Sequence, residues 1–115
     1  MCIRDSVYAG YCSDMTRTVA IGSVSEEQKH IYNTVLAAQL AALDVIQAGA
    51  ECSGVDAAAR SVIAEAGYGS AFGHALGHGV GVQIHEEPRL SARSAQILAD
   101  NMVVTVEPGI YLRCV

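Results

Sequence analysis

The chain has 115 residues, of which 51% are hydrophobic, and a formal net charge of −5. That length holds one compact domain or part of a larger one, and that apolar fraction excludes disorder by composition. Seven Lys and Arg residues with no basic cluster argue against nucleic acid as a partner. The longest apolar stretch, TVLAAQLAALDVIQAGA, is too short to span a bilayer, and Asp44 and two glutamines make it too polar.

The opening MCIRDS does not fit the pattern of the residues after it, and residues 1–6 read as a non-native head. It shows no apolar run behind a basic start, so no secretory signal is visible. Cysteines at 2, 12, 52 and 114 have no metal-like spacing and read as reduced thiols of a cytoplasmic protein. From Val7, VYAGYCSDMTRTVAIG is rich in β-branched and aromatic residues, with Gly10 and Gly22 as punctuation. It predicts two short strands, one on each side of Ser13 and Asp14.

A helix is predicted from Ser25. Ser25 and Gln28 form an S-x-x-Q capping box, Glu26 and Glu27 sit where the helix dipole favours acids, and Gly49 ends it. Ile31, Val35, Leu36, Leu40, Leu43 and Ile46 give it a broad apolar face. A second helix is expected from Val55 to Ala66, stopped by Gly67. Beyond it, VGVQIHEEP alternates like a strand closed by Pro88, and NMVVTVEPGIYL reads as a last strand interrupted at Glu107. Strands, two helices and strands again predict an α+β fold with helices packed on an antiparallel sheet.

The chemistry concentrates in GHALGHGVGVQIHEEP, residues 73–88, where His74, His78 and His85 stand in a run paved with glycine. On a helix His74 and His78 would share a face, but the glycines at 73, 77, 79 and 81 disfavour a helix. In an extended segment they also share a face, while His85 has the opposite parity unless a bulge intervenes. One ligand with two pocket histidines is therefore at least as good a reading as one ion held by all three. Glu107 comes after the apolar MVVTV, and a carboxylate there is expensive to bury unless paired or bound to a cation; the alternative is a solvated strand end. Asp14 is either a turn aspartate or a ligand. His30 reads as solvated on the first helix, and Glu86 and Glu87 as surface or supporting groups at a turn. Two carboxylates and one imidazole suit Mn²⁺, Co²⁺, Fe²⁺ or Zn²⁺ better than a thiolate zinc site, which points to metal-assisted hydrolysis.

GYCSDMTRTV, HALGHGVGVQIHEEPRLS and MVVTVEPGIY, in that order, resemble the pita-bread metallopeptidases, and within them the Xaa-Pro aminopeptidase and prolidase branch. The likeness runs from Val7 to Tyr111. It implies two pseudosymmetric α+β halves, an antiparallel curved sheet with helices outside, and a dinuclear metal centre; residues 7–115 would be part of that catalytic domain. Carried over by motif, Asp14, His78 and Glu107 are metal ligands, His85 contacts the substrate or tetrahedral intermediate, and His74 is a nearby pocket histidine. The resemblance implies two divalent ions, Mn²⁺ foremost with Co²⁺ or Zn²⁺ as alternatives. It also implies a peptide substrate with proline at its second position, and a cytoplasmic homodimer that engages neither membrane nor nucleic acid.

The departures from the family pattern also carry expectations. The family's first aspartate falls on Ile3, with Asp5 two residues later, and its last bridging glutamate and upstream catalytic histidine have no counterpart. The terminal RCV does not continue the pattern either. The chain is thus expected to carry three of five ligands and to be inactive alone. Two other classes share the fold. A creatinase-like hydrolase dispenses with metal, and the residues at 14, 78 and 107 count against it. A catalytically inert binding module would be implied by the missing ligands if both termini were native.

Overall fold

A computed structural model describes residues 2–3 and 5–112. The expectations for RCV at 113–115 and for the side chain of Ile3 lie outside the described residues. The chain opens as an antiparallel ribbon. Strand β1 (Cys2–Ile3) pairs with β4 (Thr16–Arg17), and β2 (Ser6–Tyr8) pairs with β3 (Tyr11–Ser13). Ala9 and Gly10 join β2 to β3 with φ of 50° and 84°, the left-handed pair that suits a two-residue hairpin. The expected strands on either side of Ser13 and Asp14 are β3 and β4. The register is the same at both ends of the ribbon, which sets Asp5 across from Asp14. Pairing lapses there, as expected for like charges placed opposite each other.

Helix α1 (Glu26–Val45) starts as the sequence predicts: Ser25 Oγ accepts from Gln28 N, and Gln28 Oε1 accepts from Ser25 N. Its buried stripe differs from the expected one. Thr34, Ala38 and Ala42 face inward, while Leu36, Leu40 and Leu43 are exposed. Small residues let α1 lie close against α2 (Cys52–Glu65), whose Val55, Ala59 and Ile63 complete the contact. Counting apolar residues could not distinguish the alanine face from the leucine face, because both recur at helical spacing.

Helix α2 begins at Cys52, three residues before the expected start. An antiparallel bridge between Glu51 and Ile97 delivers the chain into it, with Cys52 N donating to Gln96 O. Gly67, with φ 87°, closes α2 as expected.

The glycine-rich run supplies β5 (Gly77–Gly79), which pairs with β6 (Glu86–Leu90). Residues 81–85 bend instead of continuing a strand, and β6 runs past Pro88. The expectation of a strand ending at Pro88 is therefore corrected. A register shift between His78 and Gly79 leaves Glu87 and Pro88 outside the one-to-one pairing, so the amide that proline lacks is not missed. Along the other edge runs the extended segment 103–107. Thr105 N donates to His78 O and Glu107 N to Leu76 O, each at 2.8 Å, and Val80 N donates to Val103 O. This is the expected last strand, reduced to an irregular ladder and one bridge, Gly79 to Val104. Leu76 and Leu90 are buried beneath it with Phe72 and Leu98, against α2. Among the described residues, no helix is long and apolar enough to cross a membrane.

Candidate metal centre

Three chain segments converge on one point. Asp14 comes from the link between β3 and β4, His78 from the middle of β5, and Glu107 from the end of the extended segment beside β5. The Nε2 atom of His78 lies 3.0 Å from Glu107 Oε1 and 3.4 Å from Asp14 Oδ2, and the His78 side chain is only 13% exposed. The ring is oriented from behind: Nδ1 lies 2.9 Å from the carbonyl oxygen of Gly79, so Nδ1–H donates to it. That bond commits Nδ1 as a donor and leaves Nε2 facing the carboxylates, the usual orientation of a metal-binding imidazole.

The close approach depends on glycine. A Cβ at position 77 would collide with the backbone carbonyl of Thr105, and one at 79 with the carbonyl of Glu87. Only glycine lets the strands on both sides approach the histidine-bearing one. Thr105 then ties His78 and Glu107 together. Its Oγ1 accepts from His78 N at 3.1 Å and donates to Glu107 Oε1 at 2.7 Å.

The electrostatics call for a cation. Burial raises the Asp14 carboxyl above the ordinary aspartate range, and the negative charges of Glu107 and Asp5 raise it further, while His78 and His85 pull it down. Two further carboxylates thus act on Asp14 beside the oriented imidazole of His78. A hard or borderline divalent ion would suit this set, because it would neutralise the carboxylates and take the ring nitrogen that faces them.

His85 also reaches this point. Its ring centroid is 4.3 Å from that of His78, edge to face, and Asp14, His78 and His85 offer ligand atoms all within 4.8 Å of one another. Parity along a strand would have turned His85 away. The bend at 81–85 and the register shift at His78 bring it back, acting as the bulge that can override parity. Glu86 closes that bend by accepting from Gln83 N, and Cys12 N anchors it to the hairpin by donating to Gly81 O. His74 stands further along the same face. Its Nδ1 lies 2.7 Å from Ala75 O and its Nε2 lies 3.2 Å from the Tyr111 hydroxyl. His74, His78, His85, Glu107 and Arg89, with Ala75 and Gly77, line a cleft of about 260 Å³. His30 is remote from it, beside Tyr68.

Sequence reasoning did not single out Thr105, Tyr111 or Arg89, and it named Asp5 only as lying two residues past the position of the family's first aspartate. Thr105 had one legible signal, its position two residues before Glu107 and so on the same strand face. Tyr111 and Arg89 had none, since their place at the cleft depends on turns.

Residues 5–113 match the model of metallopeptidase family M24. The chain belongs to that family. It is 48% identical over 107 residues to the Xaa-Pro dipeptidase of Pyrococcus horikoshii, covering 93% of this chain and 30% of the relative. Among solved structures, the prolidase of Pyrococcus horikoshii superposes with a TM-score of 0.93 at 46% identity, covering 96% of this chain and 32% of that one. The X-Pro aminopeptidase of Thermotoga maritima superposes with a TM-score of 0.92 at 47% identity, covering 96% and 31%. This M24 chain therefore carries part of the expected pita-bread α+β fold, and it spans about 30% of the length of the curated relatives it matches.

Proposed function

We propose that the protein to which this chain belongs is a metal-dependent Xaa-Pro peptidase, and that Asp14, His78 and Glu107 hold a divalent ion in its active site. One observation carries the reading: an imidazole nitrogen, its ring oriented by a backbone bond on the opposite side, lies within 3.4 Å of two carboxylates from separate segments. Names of relatives at 46–48% identity support the substrate class, a peptide with proline at its second position.

In this reading two divalent ions, Mn²⁺ foremost, polarise the scissile carbonyl and lower the pKa of water when bound. The chain's own residues do the rest. His78 Nδ1–H, held on Gly79 O, keeps the ring from turning. Thr105 Oγ1 holds Glu107 Oε1 so that its carboxylate does not swing away. His85, exposed at the mouth of the cleft, orients the substrate and stabilises the negative oxygen that develops at its carbonyl. His74, with Nδ1–H committed to Ala75 O, accepts from the Tyr111 hydroxyl at Nε2, and the two bonds hold its ring at the cleft. By motif, Ile3 falls at the position of the aspartate that would serve the second ion. By itself the chain then binds one divalent ion weakly and does not hydrolyse peptide. The intact protein, in this reading, works as a cytoplasmic homodimer.

The test is His78→Ala in the full-length protein. It should remove both Xaa-Pro hydrolysis and bound Mn²⁺, while His30→Ala leaves both near normal. Equal activity of the two variants would sink the assignment. On this chain, calorimetry with Mn²⁺ should find a single weak site that His78→Ala removes.

A further inference from the structure

Helix α2 carries a charge pair that none of the chemistry above uses. Asp56 is fully buried, at 0% exposure, and Arg60 lies one turn later. Arg60 Nε donates to Asp56 Oδ2 and Arg60 Nη2 to Asp56 Oδ1, both at 2.8 Å, a two-pronged pair. Such spacing on a helix is most often a solvated pair of small consequence. This one faces inward, and its remaining hydrogen-bonding capacity goes to one target. Arg60 Nη1 donates to Phe72 O at 2.9 Å, Arg60 Nη2 to His74 O at 3.0 Å, and Asp56 Oδ1 accepts from Leu76 N at 3.1 Å. The guanidinium also lies 4.2 Å from the centre of the Phe72 ring.

The stretch from Phe72 to Leu76 bends at His74 and Leu76 before β5 begins, and side chains of a helix supply partners for its backbone there. The same stretch is held from the other direction, at Leu76 O by Glu107 N and, two residues on, at His78 O by Thr105 N. The histidine segment is thus gripped on both sides, by charge on one and by backbone on the other.

We propose that the Asp56–Arg60 pair is a positioning device for the histidines. It sets the height and register of the segment 72–76, and through it the placement of His74 in the cleft and of His78 Nε2 opposite Glu107. The proposal rests on the metal-site reading for its consequence, but not for its geometry. A Lys at 60 could not serve as well, because one ammonium cannot span a carboxylate and two carbonyls.

Removing Arg60 alone would leave Asp56 buried and unpaired, which is strongly destabilising. The informative variant is the double change Asp56→Asn with Arg60→Met, in the full-length protein. It leaves no unpaired charge and keeps an acceptor for Leu76 N. The expected result is a folded protein whose His74 and His78 ring nitrogen resonances shift and broaden without metal. Its Mn²⁺ affinity should fall about tenfold, the lower end of what supporting contacts to a metal ligand cost. Arg60→Lys should recover part of the loss.

Shifted resonances with unchanged Mn²⁺ affinity would uphold the positioning role and remove His78 as a ligand. A folded double variant with unchanged resonances and unchanged Mn²⁺ affinity would overturn the proposal. If neither variant folds, hydrogen exchange on the unaltered protein decides. Protection of the Leu76 amide equal to that of β5 supports the grip, and exchange as fast as in the surface turns overturns it.

Discussion

The two sides of the candidate site are built to different standards. His78 comes from a strand held along both edges, and Glu107 from the extended segment beside it, over a buried layer of Phe72, Leu76 and Leu90. Asp14 comes from a ribbon whose Val7, Tyr8 and Tyr11 are all exposed. That ribbon meets the rest of the site through Cys12, whose amide bonds Gly81 and whose thiol approaches the carbonyl of Val82. One side owes its geometry to packing and has no slack. The other depends on a few backbone contacts. Close packing thus sets the position of His78, while a few backbone contacts set that of Asp14.

Glycine substitutions separate the two sides most sharply. Gly77→Ala should cost ~3 kcal/mol or more in denaturant unfolding, because the added methyl meets the Thr105 backbone, which cannot give way like a side chain. Gly10→Ala in the ribbon meets no neighbour, and only its positive φ resists the change, so about 1 kcal/mol is expected. Similar costs at the two positions would erase the contrast.

Next in size is Thr105→Val in the full-length protein. It keeps the shape of the side chain but removes the bonds to His78 N and Glu107 Oε1. Mn²⁺ binding measured by calorimetry should weaken roughly 10- to 100-fold, with Thr105→Ser near the unaltered value.

The cysteines give a smaller effect. Cys12 and Cys52 are both free thiols, but Cys52 is fully buried, and burial raises its pKa. Iodoacetamide at mildly alkaline pH and then mass mapping should show Cys12 modified and Cys52 untouched until the protein unfolds. The raised folded pKa also means that the unfolded thiol ionises first. Stability should therefore decline as pH climbs above the ordinary thiol range. At the bottom of the scale, His30→Ala should change stability by under about 0.5 kcal/mol.

The helices were legible to within a few residues, because capping and glycine stops act locally: Ser25 with Gln28, and Gly67. Which face of α1 is buried was not legible. Alanine and leucine stripes both satisfy the apolar period, and closeness to α2 decides between them. The true end of β6, beyond Pro88, was hidden for a related reason, since only the partner strand determines whether a proline's missing amide is needed. The candidate site was legible as residue types. Asp14, His78 and Glu107 stand out as a histidine and two carboxylates in apolar or glycine-rich surroundings, and the structure brings both carboxylates within 3.4 Å of one imidazole nitrogen.

What the sequence alone determined is local in its physics: caps, turns, glycine stops, and an inventory of groups able to hold a metal. What the tertiary structure decided is non-local. The bend at 81–85 turns His85 toward His78. Asp56, Arg60 and Thr105, which on sequence grounds are an ordinary helix pair and a strand residue, hold the segment that carries the histidines. A side chain's hydrogen-bonding partner 20 or 27 residues away is set by how layers pack, and a residue's own neighbours in the chain carry no record of it.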